Sequence, residues 1–432
     1  METGQKGGRG VHVVDGSRTP FLKALKGPNP FTGSDLAVNA GRALLARQPF
    51  EATAFDEVIV GAALPSADEA NIARVISLRL GCGDKVPAWT VMRNCASGLQ
   101  AIDSAYVNIL AGRSSLVLAG GTDAMSHAPI LFGAKMVQWL VAWNQARGFG
   151  QRAAVAARWR PSYLAPVIAL LKGLTDPNVK VSMGSTAEIV AARFGITRQM
   201  MDEYAVESHR RVAFAQDNGY FDEIEPMYGP DGTVYAQDDG VRRDSSVERL
   251  AKLKPVFDRT YGNVTAGNSS QVTDGAAMLV IASEDVVREY GLEPLGRIVD
   301  THWGALDPSE MGLGPVHAIT PMLMRHGYRW SDIDAVEINE AFAAQLLGCL
   351  AAWDDAAYCR EHFGLDKPFG KLDRAKLNVD GGAIALGHPI GASGARVALH
   401  LLKVLKRTGG KRGVASLCIG GGQGGAILVE RA

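Results

Sequence analysis

The sequence predicts an α/β fold in two similar halves, on three observations. Two stretches of the 432-residue chain alternate short apolar runs with helix-like segments. Both stretches contain an Ala-Ser-Gly triplet that opens a helix and, after it, an apolar strand that runs into glycines. Between them lies a segment of different composition, rich in cations and tryptophan.

The first stretch runs from about Val11 to Met125. Val11–Val14 and Val58–Ala63 read as buried strands, Ser34–Leu45 and Asn71–Leu80 as helices, Asn94–Ala111 as a longer helix, and Leu116–Ala119 as a strand stopped by Gly120-Gly121. The second runs from about Met278 to Arg431. Met278–Ala282, Val336–Asn339, Val414–Cys418 and Ala426–Val429 read as strands and Gly391–Arg407 as a helix. Such alternation predicts mostly parallel strands. The shared unit, Ala96-Ser97-Gly98 then Leu116–Gly121 against Ala392-Ser393-Gly394 then Val414–Gly422, suggests an internal duplication, although any two βαβ units share an outline.

The middle segment spans about His127 to Val264. From Ser126 to Thr175 it has no Asp or Glu, yet carries Lys135, Arg147, Arg152, Arg158, Arg160 and Lys172 with Trp139, Trp143 and Trp159 interleaved. That pattern fits a lid whose cations meet acidic groups or solvent, or a surface that meets a membrane or an acidic ligand. Thr186–Asn218 then reads as helical with Thr197 as N-cap before Arg198–Phe214, and Pro226–Asp244 as a loop.

Lys+Arg and Asp+Glu balance at 45 each, so no global basic field points to nucleic acid. The 50 glycines cluster, as tight turns and close backbone approaches require. Five cysteines, an odd number without CxxC or Cys/His ligand spacing, lead us to expect no metal site. The start, METGQKGGRGVHVVDG, lacks the pattern of a secretory leader, and no apolar run nears the roughly 18 residues of a membrane span. A cytoplasmic location is the expectation, since free thiols survive in a reducing compartment.

Four positions are candidates for chemistry. Cys95, in Asn94-Cys95-Ala96-Ser97-Gly98, falls at the predicted start of a helix, where backbone N–H groups and the dipole lower a thiol pKa; the alternative is a buried structural cysteine. His388, set in Gly387-His388-Pro389-Ile390-Gly391, has glycines on both sides and is either structural or a base near neutral pH. Cys418 opens Cys418-Ile419-Gly420-Gly421-Gly422, an anion-binding turn or only a tight one; without GxxxxGK[ST] it is no P-loop. Asn339, in Asn339-Glu340-Ala341-Phe342-Ala343, stands at a strand-to-helix change and either caps the helix or polarises a carbonyl.

Taken together these motifs resemble the thiolase family, in family order and over nearly the whole chain. Arg18-Thr19-Pro20-Phe21, Met183-Gly184-Ser185-Thr186-Ala187-Glu188 and Thr265-Ala266-Gly267-Asn268-Ser269-Ser270 add support. The resemblance implies two similar α/β halves in a five-layered αβαβα arrangement with an inserted loop domain. It divides the chain into an N-terminal half at 1–126, completed by about 245–283, a loop domain at 127–244, and a C-terminal half at 284–432. It implies ping-pong thiolytic cleavage of 3-oxoacyl-CoA, with coenzyme A as substrate and no other cofactor. Cys95 would be acylated, His388 would activate it, and Cys418 would be the second acid/base. Asn339 would join His388 in stabilising an enolate oxygen, and the N–H groups of Cys95 and Gly420 would form a second oxyanion hole. Ser270 would lie near the pantetheine arm, and the basic stretch would meet the CoA phosphates.

The departures from the family pattern are Ser182, often His in relatives, which with Met183 would line the acyl pocket, and Asp380, often Asn, a carboxylate that would raise the pKa of the catalytic histidine. The long segment Ala351–Lys376 and the basic loop resemble the β-oxidation branch that partners a hydratase/dehydrogenase α-type subunit. The resemblance also implies a homodimer or homotetramer. A biosynthetic acetoacetyl-CoA thiolase, a ketoacyl synthase and a non-catalytic acyl-CoA or lipid-binding protein are the alternatives; two retained thiols argue against the last two.

Overall fold

The structure is a computed structural model that describes residues 10–24 and 27–432. Met1–Arg9, part of the stretch read for a leader, lie outside the described residues. Nine strands line up in one continuous order: Ala335–Ile338, Arg412–Ile419, Gln423–Arg431, Gly296–Ala305, Val11–Arg18, Thr273–Ser283, Leu116–Ala124, Glu57–Gly61 and Ala88–Val91. The seam between Val11–Arg18 and Gly296–Ala305 has only two paired positions, His12 with Arg297 and Val13 with Gly296. On either side of that seam the same sequence of pairings repeats: antiparallel twice, then parallel. The outermost parallel pairing, Glu57–Gly61 with Ala88–Val91, is matched in the other half by a lone parallel bridge from Val336 to Leu377. The repeated unit in the sequence is therefore a repeated topology.

The expectation of mostly parallel strands is corrected. Only the outer strands pair parallel; the long central ones are antiparallel. Short apolar runs announce burial on both faces, and that property is blind to strand direction.

Three hydrophobic cores, the central one enclosing the middle helices, hold five layers together. Along Leu116–Ala119 side chains alternate between an outer core, with Leu116 and Leu118, and the central core, with Val117 and Ala119. Ala426–Val429 alternates likewise between the central core and the other outer one. The two-residue period of a strand sends neighbours to opposite faces, and both faces are dry. The helices Ser97–Leu110 and Ile390–Thr408 form the middle layer between the two sheet halves. Each fully buried Leu or Ile there stabilises by about 1.5–3 kcal/mol.

These central helices cross at their N-terminal ends, and glycines make the crossing close enough. A Cβ on Gly98 or Gly121 would collide with the carbonyl oxygen of Gly391, and one on Gly394 with the backbone N of Leu99. The strand read as stopping at Gly120-Gly121 in fact continues to Ala124, because Thr273–Ser283 pairs with it residue by residue through both glycines. Glycine there answers a close approach rather than a turn.

The middle segment behaves in two ways. Its helices Met183–Phe194 and Arg198–Asp217 join the core of the C-terminal half through Val190, Met201 and Tyr204. Gly195, in the left-handed region at φ 64°, separates them, and Thr197 accepts from Met200 N as the expected N-cap. The acid-free part folds as a hairpin of Ile130–Phe132 with Pro166–Ile168 around the helices Ala134–Gln145 and Phe149–Ala156.

Candidate active site

Cys95 lies just ahead of its helix, which begins at Ser97. Asn94 before it sits at φ +43°, a conformation Asn tolerates better than most side chains. Ser97 clamps this turn: its hydroxyl donates to Asn94 O at 2.7 Å and accepts from Arg93 N at 2.9 Å. Asn94 Nδ2 donates to Gly420 O at 2.9 Å, tying the turn to the loop of the other half.

The expectation that helix position lowers the Cys95 pKa is overturned. Burial pushes the thiol up, and the N–H groups of Gly420 and of Cys95 itself, both directed at the sulfur, only partly offset it. Cys95 therefore rests as a thiol. Those two N–H groups are the pair the sequence reading assigned to an oxyanion hole.

His388 is buried beside Cys95 in the same cavity. Its Nδ1 is 2.6 Å from Ser393 Oγ, and that hydroxyl lies 2.9 Å from the carbonyl oxygen of Pro389. A carbonyl can only accept, so the serine proton goes to Pro389 and the imidazole donates Nδ1–H to the serine oxygen. The lone pair is thereby left on Nε2, which is buried without a protein partner. Burial, with the charge of Arg396 adding to it, lowers the His388 pKa to about 3. A neutral base of fixed tautomer shares the cavity with the thiol.

The expected effect of Asp380 on His388 is corrected. Asp380 accepts from His400 Nε2 at 3.0 Å and from Arg407, and opposes the burial that would raise its pKa by binding these two cations. His400 also reaches Glu223 at 3.0 Å; burial would lower its pKa, but the charge of Glu223 and the Asp380 contact raise it to about 10. Glu223 in turn meets the fully buried Arg18, whose guanidinium holds Asp238 by two hydrogen bonds of 2.7 and 2.8 Å. Asp380 belongs to this structural network.

Cys418, next to the last residue of its strand, lies in a small apolar cluster with Met311 and Ala341. Burial first, then the neighbouring Cys95, push its pKa well above the ordinary thiol value. The chain turns at Gly421 and Gly422, both at positive φ. Asn339 is fully buried and caps nothing, since the next helix starts at Ala343 without a side-chain cap. Both polar atoms of its carboxamide lack a protein partner, and Ala341 and Phe342 just after it line the cavity.

A cavity of about 370 Å³ brings together Cys95, His388, Cys418, Ser182, Met183 and Ser270. A second, of about 290 Å³, meets it at Cys95 and Met183 and carries Gly420. Ser182 also caps its helix by accepting from Ser185 N at 3.1 Å. The sequence reading missed the apolar walls Phe257, Met311 and Leu174, which no local pattern marks. It also missed Asp123, which accepts from Leu64 N at 2.9 Å and Gly391 N at 2.6 Å; burial raises its pKa to about 6. Asp123 pins the N-terminus of the His388 helix to the first half.

Two thiols and a neutral imidazole around an apolar cavity define a covalent acyl-transfer site. Comparison with known proteins agrees. The family description "Thiolase, N-terminal domain" matches residues 11–285 and "Thiolase, C-terminal domain" matches 292–431. The mitochondrial 3-ketoacyl-CoA thiolase of Bos taurus is 39% identical over 432 residues, covering 98% of each chain. The mitochondrial trifunctional enzyme subunit beta of Homo sapiens is 36% identical over 423 residues, covering 98% of this chain and 88% of that one. The crystal structure of human mitochondrial 3-ketoacyl-CoA thiolase in complex with CoA superposes with a TM-score of 0.83 at 38% identity over 98% of each chain. The acetyl-CoA acetyltransferase of Syntrophomonas wolfei gives 0.85 at 34% identity over 98% of this chain and all of its own. The chain belongs to the thiolase family. It is an acyl-CoA acyltransferase of the thiolytic kind.

Proposed function

We propose that the protein cleaves 3-oxoacyl-CoA in fatty-acid β-oxidation through an acyl-Cys95 intermediate. The observation that carries this reading is the convergence of Cys95, His388 and Cys418 on one cavity. His388 Nε2 takes the Cys95 proton as the sulfur attacks the 3-keto carbon. The bond between C2 and C3 breaks, the acyl group stays on Cys95, and the enolate of acetyl-CoA takes a proton at C2 from Cys418. The Cys418 thiolate takes the thiol proton of a second CoA, whose sulfur removes the acyl group as the longer product; Cys95 leaves as thiolate and regains its proton from His388. Burial suits Cys418 to this part, because a thiol held protonated is the acid the first step needs. Asn339 and His388 stabilise the enolate oxygen, and the N–H groups of Cys95 and Gly420 the tetrahedral oxyanion; each such site contributes on the order of 10²–10³ in rate. Ser270 contacts the pantetheine arm, and Ser182 and Met183 bound the acyl chain.

The residue division into an N-terminal half, the loop domain 127–244 and a C-terminal half goes with this reading. The edge strand Ala88–Val91, which carries exposed Trp89 and is followed by exposed Met92, supports a homodimer or homotetramer, since an open apolar edge invites pairing. Likeness to a trifunctional enzyme subunit beta supports an α-type hydratase/dehydrogenase partner. Five unpaired thiols support a reducing compartment, the cytoplasm in the simplest case.

The test is thiolytic kcat/KM with CoA and 3-oxoacyl-CoA substrates from four to sixteen carbons. A rise toward the longer chains is expected. Activity confined to four carbons would make the enzyme an acetoacetyl-CoA thiolase, and none at all would make it a binding protein.

A further inference from the structure

We infer that the outer face of the segment from Ile130 to Leu171 docks on a bilayer containing anionic phospholipid. The inward side of this segment satisfies itself: Trp139 and Trp143 stack with ring centres 5.5 Å apart, and the Trp139 indole donates to Val155 O at 2.9 Å. The outward side is apolar. Val137, Leu140 and Val141 stand three and four residues apart on one exposed face of the helix Ala134–Gln145. Phe149, 90% exposed, opens the next helix and shares a face with Arg152 one turn on. The hairpin adds Ile130, Leu131, Phe132 and Ile168, with Ile130 73% exposed. So dense a set of exposed apolar side chains marks an interaction surface.

Charge selects the occupant. Six Lys and Arg side chains and no carboxylate lie between Ser126 and Thr175. A second copy meeting this face through a twofold axis would set cations against cations with nothing to compensate. Coenzyme A fits less well, because none of the six cations lines either cavity that meets at Cys95. Lipid phosphates and serine headgroups supply the missing negative charge, and the apolar side chains enter the acyl boundary beneath them. Among the described residues no helix is long and apolar enough to cross a membrane, so the contact is peripheral.

The docked segment is also part of the active-site wall. Leu171 and Leu174 line the first cavity, and Leu170, Gly173 and Leu174 the second.

The test is co-sedimentation of the full chain with vesicles of phosphatidylcholine alone or mixed with phosphatidylserine. Binding is expected only to the mixed vesicles and is released by salt, which screens the headgroup field. Arg152→Glu with Arg158→Glu is expected to lower binding by about tenfold or more. Phe149→Ser lowers it through lost insertion and keeps thiolysis of soluble acetoacetyl-CoA, which reports the fold and the acyl-transfer chemistry separately. Equal binding to both vesicle types, or none, overturns the inference. So does a concentration-dependent oligomer that Phe149→Ser dissolves, which assigns the face to a second copy. A raised KM for CoA in the charge-reversal variant with vesicle binding unchanged overturns it in favour of the coenzyme.

Discussion

The two halves of the molecule put the same local structure to different use. In each, a central helix carries Ala-Ser-Gly at or near its N-terminus and leads to a strand buried on both faces. In the N-terminal half the serine, Ser97, turns back on its own loop and clamps the turn that carries Cys95. In the C-terminal half the serine, Ser393, reaches His388 and sets which ring nitrogen is free. The strands diverge as well. Leu116–Ala124 runs straight through its glycines to Asp123, which pins the two halves together, whereas Arg412–Ile419 stops at Cys418-Ile419 and turns away on Gly421 and Gly422. The two halves share a frame; the chemistry lies where they differ.

The sharpest break is between the two thiols. Cys95→Ser is expected to lower thiolysis on the order of 10⁴-fold with the fold intact, because the nucleophile is lost. Cys418→Ala is expected to lose on the order of 10³ in turnover. Mass spectrometry should still find acyl-Cys95 after incubation with acetyl-CoA. Unchanged turnover in the second variant would remove Cys418 from the acid/base role.

The two serines come next. Ser393→Ala frees the imidazole to change tautomer and is expected to cut kcat by about 10–100-fold at constant KM. Ser97→Ala leaves Arg93 N without its acceptor and is expected to cost about 1–3 kcal/mol of stability, read as a lower Tm. If the alanine at 393 changed only Tm, the base would not depend on its serine.

The smallest effects separate two histidines. His388, at about 3 against an ordinary 6.5, stays neutral with Nδ1 protonated down to about pH 4, as ¹⁵N NMR of labelled protein would report; a midpoint near 6.5 refutes this. Its contribution to stability is present above pH 6.5 and is lost as pH falls toward 3. His400, at about 10, has the opposite sign: its contribution is full below 6.5 and is lost as pH rises through 10. Wild-type Tm should therefore decline on that alkaline side, and His400→Gln should lack this slope.

Much of the fold was legible because burial writes itself into hydrophobic periodicity. Strands at Val11–Val14 and Val414–Cys418, which the structure extends to Val11–Arg18 and Arg412–Ile419, the two central helices and the Thr197 cap follow from local pattern. Strand direction was not legible, since a run buried on both faces looks the same either way. Met311 and Phe257 reach the cavity from distant parts of the chain, with nothing local to announce them.

The sequence by itself determined that there are two alike halves, a cationic insert, a Cys among small residues ahead of a helix, and a His and a Cys set among glycines. Those are properties of neighbouring residues. Only the tertiary structure decided the protonation states: Cys95 raised by burial instead of lowered by its helix, His388 neutral with its proton on Nδ1, and Asp380 turned from His388 to His400. A pKa depends on what surrounds a group in space, and residues remote in the chain make up most of those surroundings.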